Sequence, residues 1–229
     1  MTFNMKKLSV LMVLVFCAVG LYAQNDVTTF LGIPVDGYKK DMIRKLEGKG
    51  CVYDNVRDVL TGEFNGRDVI ISVVTNNNKV YRICLQDANY VSETDVRIRF
   101  NTLCRQFKNN ERYFSGLNES IDYTIDEDED ISYEMVVKNK RYQAAFYQRI
   151  DTAEMKTTLL EWSSNRYGEE EFANLTERQQ EEMVDEIINK TAEIVFSKEV
   201  WFMIDEKYGR YGVLMYYDNK FNQANGKDL

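Results

Sequence analysis

One order of segments occurs twice in this chain, an amphipathic helix followed by runs that alternate with the period of a strand, and it constrains the fold more than any other feature. In the first unit, Tyr38 to Glu47 places Met42, Ile43 and Leu46 on one helical face, with Asp36 as candidate cap and Gly48 and Gly50 suited to a left-handed exit. Strand-like runs follow at Val56 to Phe64, Arg67 to Thr75 and Lys79 to Leu85. Asn65-Gly66 is the strongest hairpin signal, because both residues accept the positive φ angles of a type I′ turn. Asn76 to Asn78 mark the next reversal.

In the second unit, Ser92 caps a helix reaching about Lys108, with Val96, Phe100, Leu103, Cys104 and Phe107 spaced by three and four. Ile131 to Lys138 and Arg141 to Ile150 alternate around Asn139-Lys140 and predict a second hairpin. Asp151 with Glu154 opens a third helix carrying Met155, Leu159 and Trp162. Thr176 with Gln179 forms a capping box for a fourth, so residues 151–192 are a helical insertion. Strands resume at Val200 to Glu206 and Arg210 to Asp218. Helices and strands in runs, without β-α-β alternation, predict an α+β fold: a largely antiparallel sheet with helices on one face. No linker rich in Pro, Gly or Ser divides residues 24–229, which read as a single α+β domain with halves at 24–90 and 91–229.

Ahead of that body, Met5 to Ala23 has the pattern of an export leader. Lys6 and Lys7 precede an apolar run from Leu8 to about Leu21, and Leu21-Tyr22-Ala23 offers cleavage before Gln24, with Ala18-Val19-Gly20 as an earlier alternative. The run falls short of the roughly 20 residues of a spanning helix, so a signal peptide at 1–23 is preferred over an anchor, leaving no integral membrane segment after cleavage. Lipid modification at Cys17 is disfavoured by Phe16 before it. The expected location is the periplasm or outside the cell.

Removing Lys6 and Lys7 with the leader leaves 27 of the 29 basic residues against all 37 acids, a net charge of −10. With no long basic cluster, nucleic acid is excluded as a partner, and anionic lipid surfaces are disfavoured. Cys51, Cys84 and Cys104 remain, an odd number that permits at most one bridge; buried single thiols are the preferred reading.

The chain has no histidine, which removes the usual Ser-His and Cys-His dyads and the nitrogen ligands of ordinary zinc sites. No Cys-x-x-Cys pair and no glycine-rich phosphate loop occur, so no metal and no cofactor is expected. Asp126 to Asp130 is acidic enough to attract calcium, but an EF-hand starting there needs Gly and Glu where Ile131 and Val137 stand. A solvated loop is preferred. Glu169 to Glu171 reads as a charged connection. A carboxylate pair could hydrolyse glycosides without histidine, yet 37 acids give no way to nominate one.

Aromatic residues load the late strands: Tyr147, Trp201, Tyr211, Tyr216 and Tyr217. Alternation places Val200, Phe202 and Ile204 on one face and Trp201, Met203 and Asp205 on the other, so the strand is apolar on both sides. One face belongs to the core. The other is either covered by the inserted helices or left as a platform, with Tyr147, Trp201, Met203 and Tyr216 as candidate binding residues.

Phe30-Leu31-Gly32-Ile33-Pro34-Val35-Asp36-Gly37, Leu60-Thr61-Gly62-Glu63-Phe64-Asn65-Gly66 and the closing Tyr217-Asp218-Asn219-Lys220-Phe221-Asn222 together resemble a family of uncharacterised exported proteins of gut Bacteroidetes. The resemblance implies export and an α+β scaffold but transfers no catalytic residue. The tandem helix-plus-sheet order is also similar to β-lactamase-inhibitor-type modules, which implies a protein-binding sheet by analogy of fold. The leading expectation is a non-enzymatic exported binding module for a protein or glycan. The alternatives are a carboxylate-dependent hydrolase of polysaccharide and a structural component of an envelope complex.

Overall fold

The computed structural model describes residues 26–116, 121–171 and 176–224. The leader expected at 1–23 lies outside them.

The chain opens with a small hairpin, β1 (Thr29–Phe30) and β2 (Ile33–Pro34), joined by Leu31 and Gly32, both at positive φ. Helix α1 (Lys39–Glu47) follows, then four strands: β3 (Val52–Asp54), β4 (Val59–Phe64), β5 (Arg67–Asn76) and β6 (Lys79–Asp87). The second unit has helix α2 (Glu93–Asn109), β7 (Tyr113–Phe114), short helix α3 (Ile131–Val136) and β8 (Gln143–Gln148). Helices α4 (Thr152–Glu171) and α5 (Glu177–Val195) precede β9 (Glu199–Lys207) and β10 (Arg210–Asp218).

All eight later strands form one antiparallel sheet in the order β3-β4-β5-β6-β10-β9-β8-β7. The last strand of one unit therefore pairs with the last strand of the other, Leu214 opposite Gln86 and Asp218 opposite Arg82. Each unit is a helix followed by four strands, joined through a central antiparallel pair. The α+β expectation holds, and the repeated order seen in the sequence is the architecture.

Local chemistry explains most boundaries. Asn65-Gly66 and Asn77-Asn78 take the left-handed φ angles of type I′ turns, as does Tyr208-Gly209 between β9 and β10. The Ser92 hydroxyl accepts from Asp95 N at 3.2 Å, and Thr176 with Gln179 makes the reciprocal capping box. Asp36 does not cap α1. Tyr38 occupies that place, while the Asp36 carboxylate accepts from Gly37 N and Asn222 Nδ2 and ties the helix entrance to the C-terminal end.

Three expectations need correction. Ile131 to Lys138 is not a strand: Asp130 accepts from Tyr133 N at 2.7 Å and caps α3, and Ile131 and Met135, four residues apart, both reach the core. The strand expected over Val56 to Phe64 begins only at Val59, because Val56 sits in a turn, 90% exposed, and the short β3 lies before that turn. Glu169 to Glu171 ends α4 instead of forming a connection.

The core fills one side of the sheet. Helix α1 lies against β5 and β6 through Met42, Ile43 and Leu46, and α2 lies against β9 and β10 through Val96, Phe100, Leu103 and Phe107. Phe202 is fully buried between Phe100 and Phe107, with ring centroids 5.1 and 5.6 Å away, and Phe146 stacks on the same group. Tyr211 and Tyr217 also point into this core. One ion pair crosses it: the Arg99 guanidinium on α2 meets Asp87 on β6 at 3.3 Å and Asn65 O at 3.2 Å, while Asp87 also accepts from Val213 N on β10.

Cys51, Cys84 and Cys104 are all free thiols. Burial raises the pKa of each above the ordinary thiol value, that of Cys104 to about 12, with Arg82 opposing the rise at Cys84. In protein lacking residues 1–23, a thiol reagent at pH 8 should label Cys84 slowly and the other two only after unfolding, with the melting temperature indifferent to reductant. Two thiols lost to a bridge in the unfolded, unreduced protein would contradict this.

Candidate sheet-face binding site

The four sequence-nominated residues fall on the sheet face opposite α1 and α2. Register fixes this: Tyr216 pairs with Trp201 and Trp201 with Ala145, while Leu214 pairs with Met203 and Met203 with Gln143. The first row continues from Tyr216 through Cys84 to Ser72, and the second from Leu214 through Gln86 and Ile70 to Thr61. Trp201, Met203, Leu214 and Tyr216 are half-buried, as are Ile70 and Val74, so an apolar strip runs across the sheet and remains in contact with water.

Trp201 and Tyr216 stack with ring centroids 4.1 Å apart and planes 21° from parallel. The Arg82 guanidinium lies 4.8 Å from the Tyr216 ring centre and 5.6 Å from that of Trp201. Asp218, almost wholly buried, anchors the group by accepting from Arg82 Nε and Nη2 at 2.5 and 2.7 Å and from Trp201 Nε1 at 3.1 Å. This two-pronged ion pair raises the Arg82 pKa still further, keeping the guanidinium charged, and holds both large side chains in one geometry. The rings are ordered before any partner arrives.

Tyr147 belongs to the same face but has a different environment. Its ring packs edge-on against Phe196, 4.9 Å away at the end of α5, and lies 5.5 Å from Phe114, while its hydroxyl reaches Glu199 at 3.3 Å. Desolvation, reinforced by Glu199, pushes its pKa up to about 12. The insertion therefore covers the Tyr147 end of the face. Among the described residues, helices α4 and α5 otherwise pack chiefly on one another and leave the Trp201-Tyr216 region half-buried.

At the other end, Tyr90 lies across Gly212, where a Cβ would meet its ring at 3.0 Å, and its hydroxyl donates to Asp205. Burial and that carboxylate raise the Tyr90 pKa well above its usual range. Lys207 closes this rim, 4.9 Å from the Tyr90 ring centre. Beside Trp201 is a groove of about 460 Å³ lined by Ala145, Gln143, Tyr123 and Glu199, with Lys220 and Arg82 at its edge.

This chemistry suits contact. The two carboxylates in the groove are engaged by cations, Glu199 by Lys220 at 3.2 Å and Asp218 by Arg82. Among the described residues no group of three or more acids or cysteines is arranged to hold a metal. The acidic run at 126–130 has local work: Arg97 takes carbonyls of Glu127 and Glu129, the Glu129 carboxylate takes Lys140 and Tyr142, and Asp130 caps α3. The lysine and tyrosine contacts hold Glu129 below the usual carboxylate range.

Sequence reasoning named Trp201 and Met203 through alternation and Tyr216 through the aromatic loading of the late strands. It missed Arg82, Asp218 and Tyr90, whose roles depend on pairings between distant segments. Among the described residues no helix is long and apolar enough to cross a membrane. No family model, no curated protein and no solved structure matches the chain.

Proposed function

We propose that this chain is an exported, non-enzymatic binding module that captures a protein partner on the open sheet face around Trp201, Met203 and Tyr216. The observation that carries the reading is the stacked Trp201-Tyr216 pair, pinned by Asp218 and Arg82 yet still reached by solvent. Aromatic rings with an arginine beside them, central in an apolar strip and rimmed by charges, have the composition of a binding hot spot. Pre-ordered rings also lose little entropy on association. The leader-like Met5 to Ala23, the resemblance to exported Bacteroidetes proteins and the tandem unit order shared with β-lactamase-inhibitor-type modules support export and a binding sheet, the last by analogy alone.

The test is capture from envelope extract and culture medium by immobilised protein, compared with the Trp201→Ala/Tyr216→Ala variant. Loss of two hot-spot rings should weaken capture by about thirtyfold or more while circular dichroism is unchanged. Undiminished capture would reject this surface.

A glycan is the second reading, favoured by the groove beside Trp201, where an indole, two amides, a phenol and two carboxylates converge. It predicts that a soluble oligosaccharide is bound, that Trp201→Ala abolishes binding, and that Tyr216→Ala leaves most of it.

A further inference from the structure

On the helix-bearing side of the sheet, away from Trp201, the N-terminal hairpin and the C-terminal end of α2 enclose a cleft of about 720 Å³. Gln148 on β8 fixes the hairpin above it, accepting from Thr29 N at 2.8 Å and donating to Thr29 O at 2.7 Å and Tyr113 Oη at 3.1 Å. The floor is apolar, made by Phe64, Leu103, Phe107, Tyr113 and Tyr217. Its size is that of a small-molecule site.

Two features of the mouth point to the occupant. Arg112 and Arg149 both line it, opposed by Glu111; Lys198 is also present but is neutralised by Asp26 at 2.6 Å. Arg149 uses Nε on Glu111 O, and the Arg112 guanidinium has no hydrogen bond or ion pair among the described residues. In a chain this acidic, two arginines at the rim of an apolar cleft select for one negative charge. The second feature is Leu31. It lies at the first central position of the hairpin turn with φ 52°, where Asn or Gly is favoured and a bulky side chain is strained, and it stays 39% exposed at the cleft mouth. Folding alone gives no reason to keep leucine there; a contact with a bound apolar group does.

We propose that this cleft binds an apolar carboxylate, a medium-length acyl chain lying on Phe64, Phe107 and Leu103 under Leu31, with its carboxylate at Arg112 and Arg149. This site is independent of the sheet-face reading and stands or falls separately.

The probe is sodium decanoate below its micellar range, with 1-decanol as the uncharged control, followed by titration calorimetry on the chain without residues 1–23. The wild-type protein should take up one decanoate and bind 1-decanol at least about tenfold more weakly, the worth of one charge-assisted contact. Arg112→Gln, which breaks no contact of the fold, should weaken decanoate about tenfold. Leu31→Asn should raise the melting temperature, because asparagine accepts this φ, and yet weaken decanoate several-fold. That opposition separates a ligand contact from a structural one. Absence of saturable binding, equal affinity for decanol, or decanoate binding indifferent to both substitutions would overturn the proposal.

Discussion

Replacing Phe202 by alanine is expected to cost about 3–5 kcal/mol of stability, the range for deleting a fully buried ring that its surroundings cannot close over. Phe202 is 0% exposed and touches rings from α2 and β8, so the void would open where the second helix meets the sheet. The neighbouring rings are large and themselves fixed by stacking, which limits collapse into the space. For a protein of this size the loss corresponds to a fall in melting temperature of roughly 10 °C. Denaturant unfolding measures it directly, and a loss under about 1 kcal/mol would mean that the aromatic cluster is not the packed core described above.

Asp87→Ala is expected to be comparably severe, about 3–5 kcal/mol, through a different cause: it leaves the Arg99 guanidinium buried with no counter-ion. Burial already lowers the Arg99 pKa from its ordinary value, with Asp87 acting against that shift. The substitution also removes the acceptor of Val213 N, so β10 loses a tie to β6 at the joint between the units. Asp87→Asn keeps that acceptor and should lose less. The combined Asp87→Ala/Arg99→Met variant, with the stranded charge gone, should recover much of the loss. Simple additivity in this cycle would show that the two side chains do not depend on each other.

Both residues show how unevenly the sequence speaks. Phe202 was legible because Val200, Phe202 and Ile204 alternate within one strand, and alternation is local. Asp87 and Arg99 were not, since a buried pair appears only when α2 is packed on the sheet and the Arg99 side chain reaches the end of β6. The same division holds at the candidate site. Trp201 and Met203 come from periodicity and Tyr216 from the aromatic loading of the late strands, whereas Arg82 and Asp218, separated by 136 positions, acquire their roles from the β6-β10 pairing.

Misread elements have equally local causes. In Ile131 to Val136 the period-two and helical patterns overlap for six residues, and the Asp130 cap decides between them. The β1-β2 hairpin escaped notice because its strands have two residues each and its turn carries leucine where asparagine would have announced it. Neither the leader-like pattern at Met5 to Ala23 nor the acidic composition bears on which sheet face stays open. That depends on where α4 and α5 pack, and a helix such as α4, whose apolar residues do not gather on one side, does not advertise a docking face.

The most direct test of the account is site-specific photo-crosslinking. A photoactivatable side chain at Met203, in the middle of the open face, and one at Ile98, an exposed position on α2 across the sheet, can be compared in cells making the full chain. The account predicts one discrete crosslinked protein from position 203 that disappears with Trp201→Ala/Tyr216→Ala, and none from position 98. A crosslink from 98 alone, or one from 203 that survives loss of both rings, would contradict it.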